Sequence, residues 1–133
     1  MDRIFMDSSF IIALTRESDE QHERAKELRQ SIGKDTTFII SDHILGEVVT
    51  FLSKRDNKDI AFKAGIALLE SSDMLVLYAD ENDVKSSLGL LKKMDGISLC
   101  DSLSATMMGK HKIKKILTFD SDFDRFPGIE RVC

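Results

Sequence analysis

The sequence predicts a three-layer α/β/α sandwich, with a mainly parallel, five-stranded sheet between two layers of helices. Three observations carry that expectation. Short apolar runs at Ile4-Phe5-Met6, Phe38-Ile39-Ile40, Met74-Leu75-Val76-Leu77 and Ile116-Leu117-Thr118-Phe119 read as strands buried on both faces. Helical segments in pairs separate them, giving the order β-α-α-β-α-α-β-α-α-β-β, in which crossovers join parallel strands. Serine, asparagine or an acid stands at the strand-to-helix corners, where a capping side chain is needed.

The first strand, Arg3–Met6, breaks off at Asp7-Ser8-Ser9, and Ser8 or Ser9 is suited to cap a short helix over Phe10–Leu14. Ser18 opens a charged helix reaching about Ile32, with Ala25, Leu28 and Ile32 inward and His22 on its flank. Gly33 ends it before the second strand. Ser41 caps a third helix whose apolar stripe is Ile44, Val48, Phe51 and Leu52, with Glu47 at the edge of the stripe. Residues Asn57 to Ser72 form a helix that is apolar on more than one side: Phe62, Ile66 and Leu69, then Ala61, Ala64 and Leu68. That surplus points to a partner, most simply a second copy in a homodimer, or to a helix wedged deep in the monomer.

Asp80-Glu81-Asn82-Asp83 places acids in the first turn of the next helix, where they complement its dipole. Val84, Leu88 and Leu91 continue that helix, and Lys92 and Lys93 close it. Asp95-Gly96 turns the chain into a helix capped by Ser98, with Leu99, Leu103 and Met107 inward and Gly109 placed for a left-handed stop. The basic run Lys110–Lys115 precedes the fourth strand. It therefore belongs at the amino end of the sheet, away from the acids. Phe126-Pro127-Gly128 turns into a last edge strand, Ile129–Val132.

The length of 133 residues fits one domain, 1–133, able to bury a core. No apolar run approaches the roughly 20 residues that span a bilayer, and no signal sequence is evident, so a cytoplasmic location is expected without membrane association. A net charge of −4 argues against a general nucleic-acid coat, but not against an enzyme whose bound metal supplies positive charge. The two cysteines, Cys100 and Cys133, lack zinc-ligand spacing and read as reduced thiols.

Right-handed crossovers bring strand ends and helix starts to one rim. Asp7, Asp101, Asp120 and Asp122 all map there, and Glu47 sits about two turns into a helix leaving it. Carboxylates crowded on one rim either hold protons at raised pKa or bind a cation. Oxygen ligands suit Mg²⁺ or Mn²⁺, which accept phosphate oxygens as well. Metal-dependent phosphodiester hydrolysis is the reaction class this implies, and no phosphate loop, Ser/His/Asp set or cysteine nucleophile competes with it.

The chain resembles a stand-alone PIN domain, most closely the ribonuclease toxins of VapBC toxin–antitoxin systems. The resemblance rests on Phe5-Met6-Asp7-Ser8-Ser9, Glu47, Ser98-Leu99-Cys100-Asp101-Ser102-Leu103 and Leu117-Thr118-Phe119-Asp120-Ser121-Asp122-Phe123, in that order. It implies a catalytic and metal-binding quartet of Asp7, Glu47, Asp101 and Asp120 around Mg²⁺ or Mn²⁺. Ser8 and Thr118 would supply supporting hydroxyls, and Asp122 would be a further acid of less defined role. It also implies cleavage of single-stranded RNA, frequent dimerisation and a small antitoxin as protein partner. Two other readings remain at this level: a PIN-fold module that binds RNA or protein without cutting, and a phosphoacceptor domain. The phosphoacceptor would need a lysine at the end of a late strand, where Thr118 and Asp120 stand.

Overall fold

The computed structural model describes residues 2–133; Met1, the first residue of the expected 1–133 unit, lies outside the described residues. The chain runs β1 (Arg3–Met6), α1 (Ser8–Thr15), α2 (His22–Ser31), β2 (Thr37–Ser41), α3 (Asp42–Arg55), α4 (Lys58–Glu70) and β3 (Met74–Leu77). It continues through α5 (Glu81–Lys93), α6 (Leu99–Lys110), β4 (Lys115–Leu117), a 3₁₀ turn (Ser121–Arg125) and β5 (Glu130–Arg131).

The strands form a five-stranded sheet in the order β3-β2-β1-β4-β5, with every pairing parallel. The central β1 is buried from Ile4 to Met6, as a strand flanked on both edges and covered on both faces must be. Strand order runs outward from β1 to β3, then reverses: the chain returns through α5 and α6 to β4, on the other side of β1. The gap between the carboxyl ends of β1 and β4 is thus the topological switch point, where open parallel sheets bind ligands. Phe5, Phe10, Phe38 and Phe123, with Met107 and Met108, fill the interior and are fully buried.

Ser41 caps α3 by accepting from the Ile44 amide, Asn57 caps α4, and Asp80 with Asp83 forms a reciprocal capping box on α5. The acidic Asp80–Asp83 stretch is therefore a helix start. Lys110 at the end of α6 reaches Asp83 at 3.1 Å and Asp80 at 3.4 Å, tying α6 to that start. The basic run thus contributes one cation to a structural clamp.

Several local expectations are corrected. The second helix begins at His22 rather than Ser18, after turns through residues 17–21, a wholly polar stretch that offers no apolar face. Gly109 lies inside α6, and the positive φ of 57° falls at Lys112. The turns expected at Asp95-Gly96 and Phe126-Pro127-Gly128 are present, and Gly96 and Gly128 take positive φ of 78° and 83° there. Leu88 and Leu99 face outward, being 49% and 37% exposed. β4 stops at Leu117, after which the Thr118 hydroxyl turns to Asp7, and β5 spans only Glu130–Arg131.

Candidate active site

Asp7 follows β1 directly and occupies the N-cap position of α1, yet its side chain caps nothing. Its Oδ2 instead accepts hydrogen bonds from Thr118 Oγ1 at 2.7 Å and Ser9 Oγ at 2.9 Å. Each hydroxyl has a single proton, and both are directed to this one oxygen. The hydroxyl oxygens then act as acceptors: Ser9 Oγ receives the Phe119 amide at 3.1 Å, and Thr118 Oγ1 receives the Asp120 amide at 3.0 Å. Asp120 Oδ1 accepts in turn from the Asp122 amide at 2.9 Å. One buried carboxylate therefore sets the path of the loop that carries Asp120 and Asp122.

The partner of Thr118 in this arrangement is Ser9, not Ser8. Ser8 lines the cleft but its hydroxyl makes no hydrogen bond among the described residues. With α1 beginning at Ser8, it is the second helical residue whose side chain points back over Asp7. The SS dipeptide contained this signal, and only the helix start decides which serine uses it.

Asp7 is 5% exposed, and burial pushes its carboxyl up, against the hydrogen bonds of Thr118 and Ser9 that push it down. Asp101, in the first turn of α6, receives a turn from Ser98: the Asp101 amide donates to Ser98 Oγ at 3.0 Å. Burial, then the carboxylates of Asp7 and Asp120, push the Asp101 carboxyl up to about 6. Carboxyl oxygens of Asp101, Asp120 and Asp122 lie within 4.8 Å of one another. Asp7 stands outside that close set, its Oδ2 taken by the two hydroxyls, and Asp122 stands inside it. All three donors of the set are hard oxygens, and their mutual repulsion is what a divalent cation relieves, so the residues present fit such an ion.

An open cleft of about 540 Å³ joins Asp7, Glu47, Asp101 and Asp120, with Ile12, Phe51 and Phe119 on its walls. Glu47 is exposed and faces the others from α3. Cys100 lies beside Glu47, and burial together with that carboxylate pushes its thiol well above the usual range. It is a neutral thiol and no nucleophile. His43, one turn before Glu47, links the start of α3 to α6: its Nε2 is 3.0 Å from Ser41 Oγ and 3.3 Å from Ser104 Oγ. Burial lowers its pKa, so the ring is neutral at pH 7. A lone histidine in a helix gave no sequence signal for this link.

Residues 4–129 match the family model described as PIN domain. The chain belongs to the PIN-domain family. Among its relatives is the 23S rRNA-specific endonuclease VapC20 of Mycobacterium tuberculosis, 32% identical, the match covering 96% of each chain. The crystal structure of that protein, described as a sarcin-ricin loop cleaving toxin, superposes with a TM-score of 0.87 at 29% identity, covering 96% of this chain and 97% of the other. A toxin–antitoxin complex from Klebsiella pneumoniae shares the fold, with a TM-score of 0.68 and 18% identity over 96% of this chain and 95% of that one. The sheet order and the α/β/α layering are those of this PIN fold. No described helix is long and apolar enough to cross a membrane.

Proposed function

We propose that this PIN-domain protein is a metal-dependent endoribonuclease that hydrolyses phosphodiester bonds of single-stranded RNA, and that it is the toxin of a toxin–antitoxin pair acting in the cytoplasm. The observation that carries the reading is the convergence of Asp101, Asp120 and Asp122 at the switch point of a PIN sheet, in a cleft shared with Asp7 and Glu47. The names of its relatives, nucleases and toxins, support it.

Asp101, Asp120 and Asp122 would hold Mg²⁺ or Mn²⁺. When bound, the ion supplies positive charge to the phosphodiester and acidifies water. Asp7 would orient Asp120 through Thr118, which donates to Asp7 and accepts from the Asp120 amide. Glu47, which lines the same cleft and has no ion pair among the described residues, would position the attacking water and take up its proton. The test is direct. Purified protein should cut an unstructured RNA in Mn²⁺, EDTA should stop it, and added metal should restore it. Tight RNA binding without cleavage under any divalent ion would instead favour the non-catalytic module.

The small antitoxin partner is supported by the toxin–antitoxin complexes that share this fold. A homodimer is supported by α4, where Phe62, Ile66 and Leu69 are 66%, 38% and 46% exposed beside a shallow apolar hollow formed with Leu45 and Val49 of α3. Paired Phe62→Lys and Leu69→Lys changes should convert a dimer to a monomer in sedimentation, with the melting temperature of the monomer little altered. A double variant that still sediments as the wild type places any dimer contact elsewhere.

A further inference from the structure

The carboxylate cleft does not end at Glu47. A second hollow of about 560 Å³ continues from it, sharing Ser8, Ile12, Glu47 and Phe51 and adding Gly46, Thr50 and Lys54. Its two walls are helix faces: Ser8 and Ile12 are four apart on α1, and Glu47, Phe51 and Lys54 recur at four and three along α3. The groove therefore passes from acid to apolar to basic. Phe51, half-buried in its middle, carries two guanidinium groups over its ring, Arg16 at 5.5 Å and Arg55 at 5.4 Å. Arg16 is fixed there by Asp56 through two hydrogen bonds of 3.2 and 3.3 Å. Lys54 is exposed and has no ion-pair partner among the described residues.

We infer that this α1–α3 groove seats the nucleotide flanking the scissile phosphate, its base lying against Phe51 and Ile12 and its phosphate held by Lys54 with Arg55 beside it. The inference rests on the ribonuclease reading and adds the path of the substrate. Charge decides the occupant. In a chain of net charge −4, the groove leaving an acidic cluster is lined by Lys54, unpaired among the described residues, with Arg55 over the Phe51 ring beside it, while Arg16 is paired with Asp56. An apolar strip ending in cations matches a single-stranded nucleic acid, which presents bases and phosphates in alternation. Glu47 and Lys54 lie seven residues apart, or about 10 Å along the helix at 1.5 Å per residue. That separation reaches a neighbouring phosphate rather than the one held at the carboxylates.

The test uses full-length protein carrying Asp101→Asn, so that bound RNA stays intact, and a fluorescein-labelled unstructured RNA oligonucleotide in anisotropy titrations over a range of salt. Phe51→Ala should weaken binding by about tenfold to a hundredfold, the effect of losing a base-stacking aromatic, with the salt slope unchanged. Phe51→Leu guards against a packing defect, because it keeps the groove wall filled yet should lose most of the same affinity. Lys54→Ala should lower the salt slope by about 0.7, the value of one single-strand phosphate contact, and Lys114→Ala at the other end of the sheet should not.

In the Asp101-intact background, every variant should keep its stabilisation by Mn²⁺. RNA affinity and slope unchanged in Phe51→Leu and Lys54→Ala, while Mn²⁺ still stabilises both, would overturn the path and leave the nuclease reading standing. The same holds if these variants lose only a protein partner. Absence of any Mn²⁺ effect or cleavage in the wild type would count against the nuclease reading itself.

Discussion

Asp101→Asn is expected to remove RNA cleavage and to make the metal-free protein more stable at neutral pH. The loss of activity should be on the order of a hundredfold or more, since even residues that merely support a metal ligand are worth about 10–100-fold. The gain in stability has a definite pH signature. The Asp101 carboxyl of the folded protein keeps its proton up to about 6, because of burial and the nearby Asp7 and Asp120 carboxylates. The unfolded chain releases that proton near the ordinary carboxylate value of about 4. Between those values the folded state binds more protons, so the wild type loses stability as pH rises through the window. Asparagine has nothing to titrate. The melting-temperature difference, variant minus wild type in EDTA, should therefore widen from pH 4 to pH 6 and level off above it. A difference that is flat with pH, or an Asp101→Asn protein that still cuts RNA, contradicts the site.

Thr118→Val is the second large effect. Valine keeps the shape of the fully buried side chain but cannot donate to Asp7 or accept from the Asp120 amide. Two buried hydrogen bonds, one of them to a carboxylate, are worth about 2–3 kcal/mol together. The functional loss should exceed what destabilisation explains, because the loop carrying Asp120 and Asp122 loses its fixed start. Mn²⁺ affinity is expected to fall about 10–100-fold. Thr118→Ser, which keeps both hydrogen bonds, should restore affinity even if some stability is lost with the methyl group. Denaturant melts beside Mn²⁺ titrations of the two variants separate the readings. If the valine protein binds Mn²⁺ like the wild type, Thr118 is structural only.

The fold was legible wherever burial on both faces erased alternation. Ile4-Phe5-Met6 and Phe38-Ile39-Ile40 read as strands from their short, wholly apolar runs, and Ser41 announced its helix by capping chemistry. Where tertiary contacts decide, the sequence pattern was insufficient. Leu88 and Leu99 keep helical spacing but face outward, and Lys112 takes the left-handed turn that a glycine three residues earlier was placed to take. The site shows the same division. Acids at the ends of β1 and β4 are placed by topology alone, so the sequence could locate Asp7 and Asp120. That Asp122 lies within 4.8 Å of Asp101 and Asp120, while two hydroxyls hold Asp7 Oδ2, is a matter of loop geometry that spacing does not encode. The use of Ser9 rather than Ser8 depends on where the first helical turn begins. Phe51 and Ile12 read as core residues by spacing, yet both also line the groove, because a residue at the edge of an apolar stripe serves two surfaces.

The central claim, that these carboxylates form a cation site, is tested most directly by thermal melting of the wild type and Asp101→Asn with and without Mn²⁺. A ligand held only by the folded state stabilises it by about 2.7 kcal/mol at a hundred times Kd. The wild type should show a Mn²⁺-dependent rise in melting temperature that saturates, and Asp101→Asn, the more stable protein in EDTA, should show little or none. Equal responses in the two proteins, or no response in either, would contradict the account.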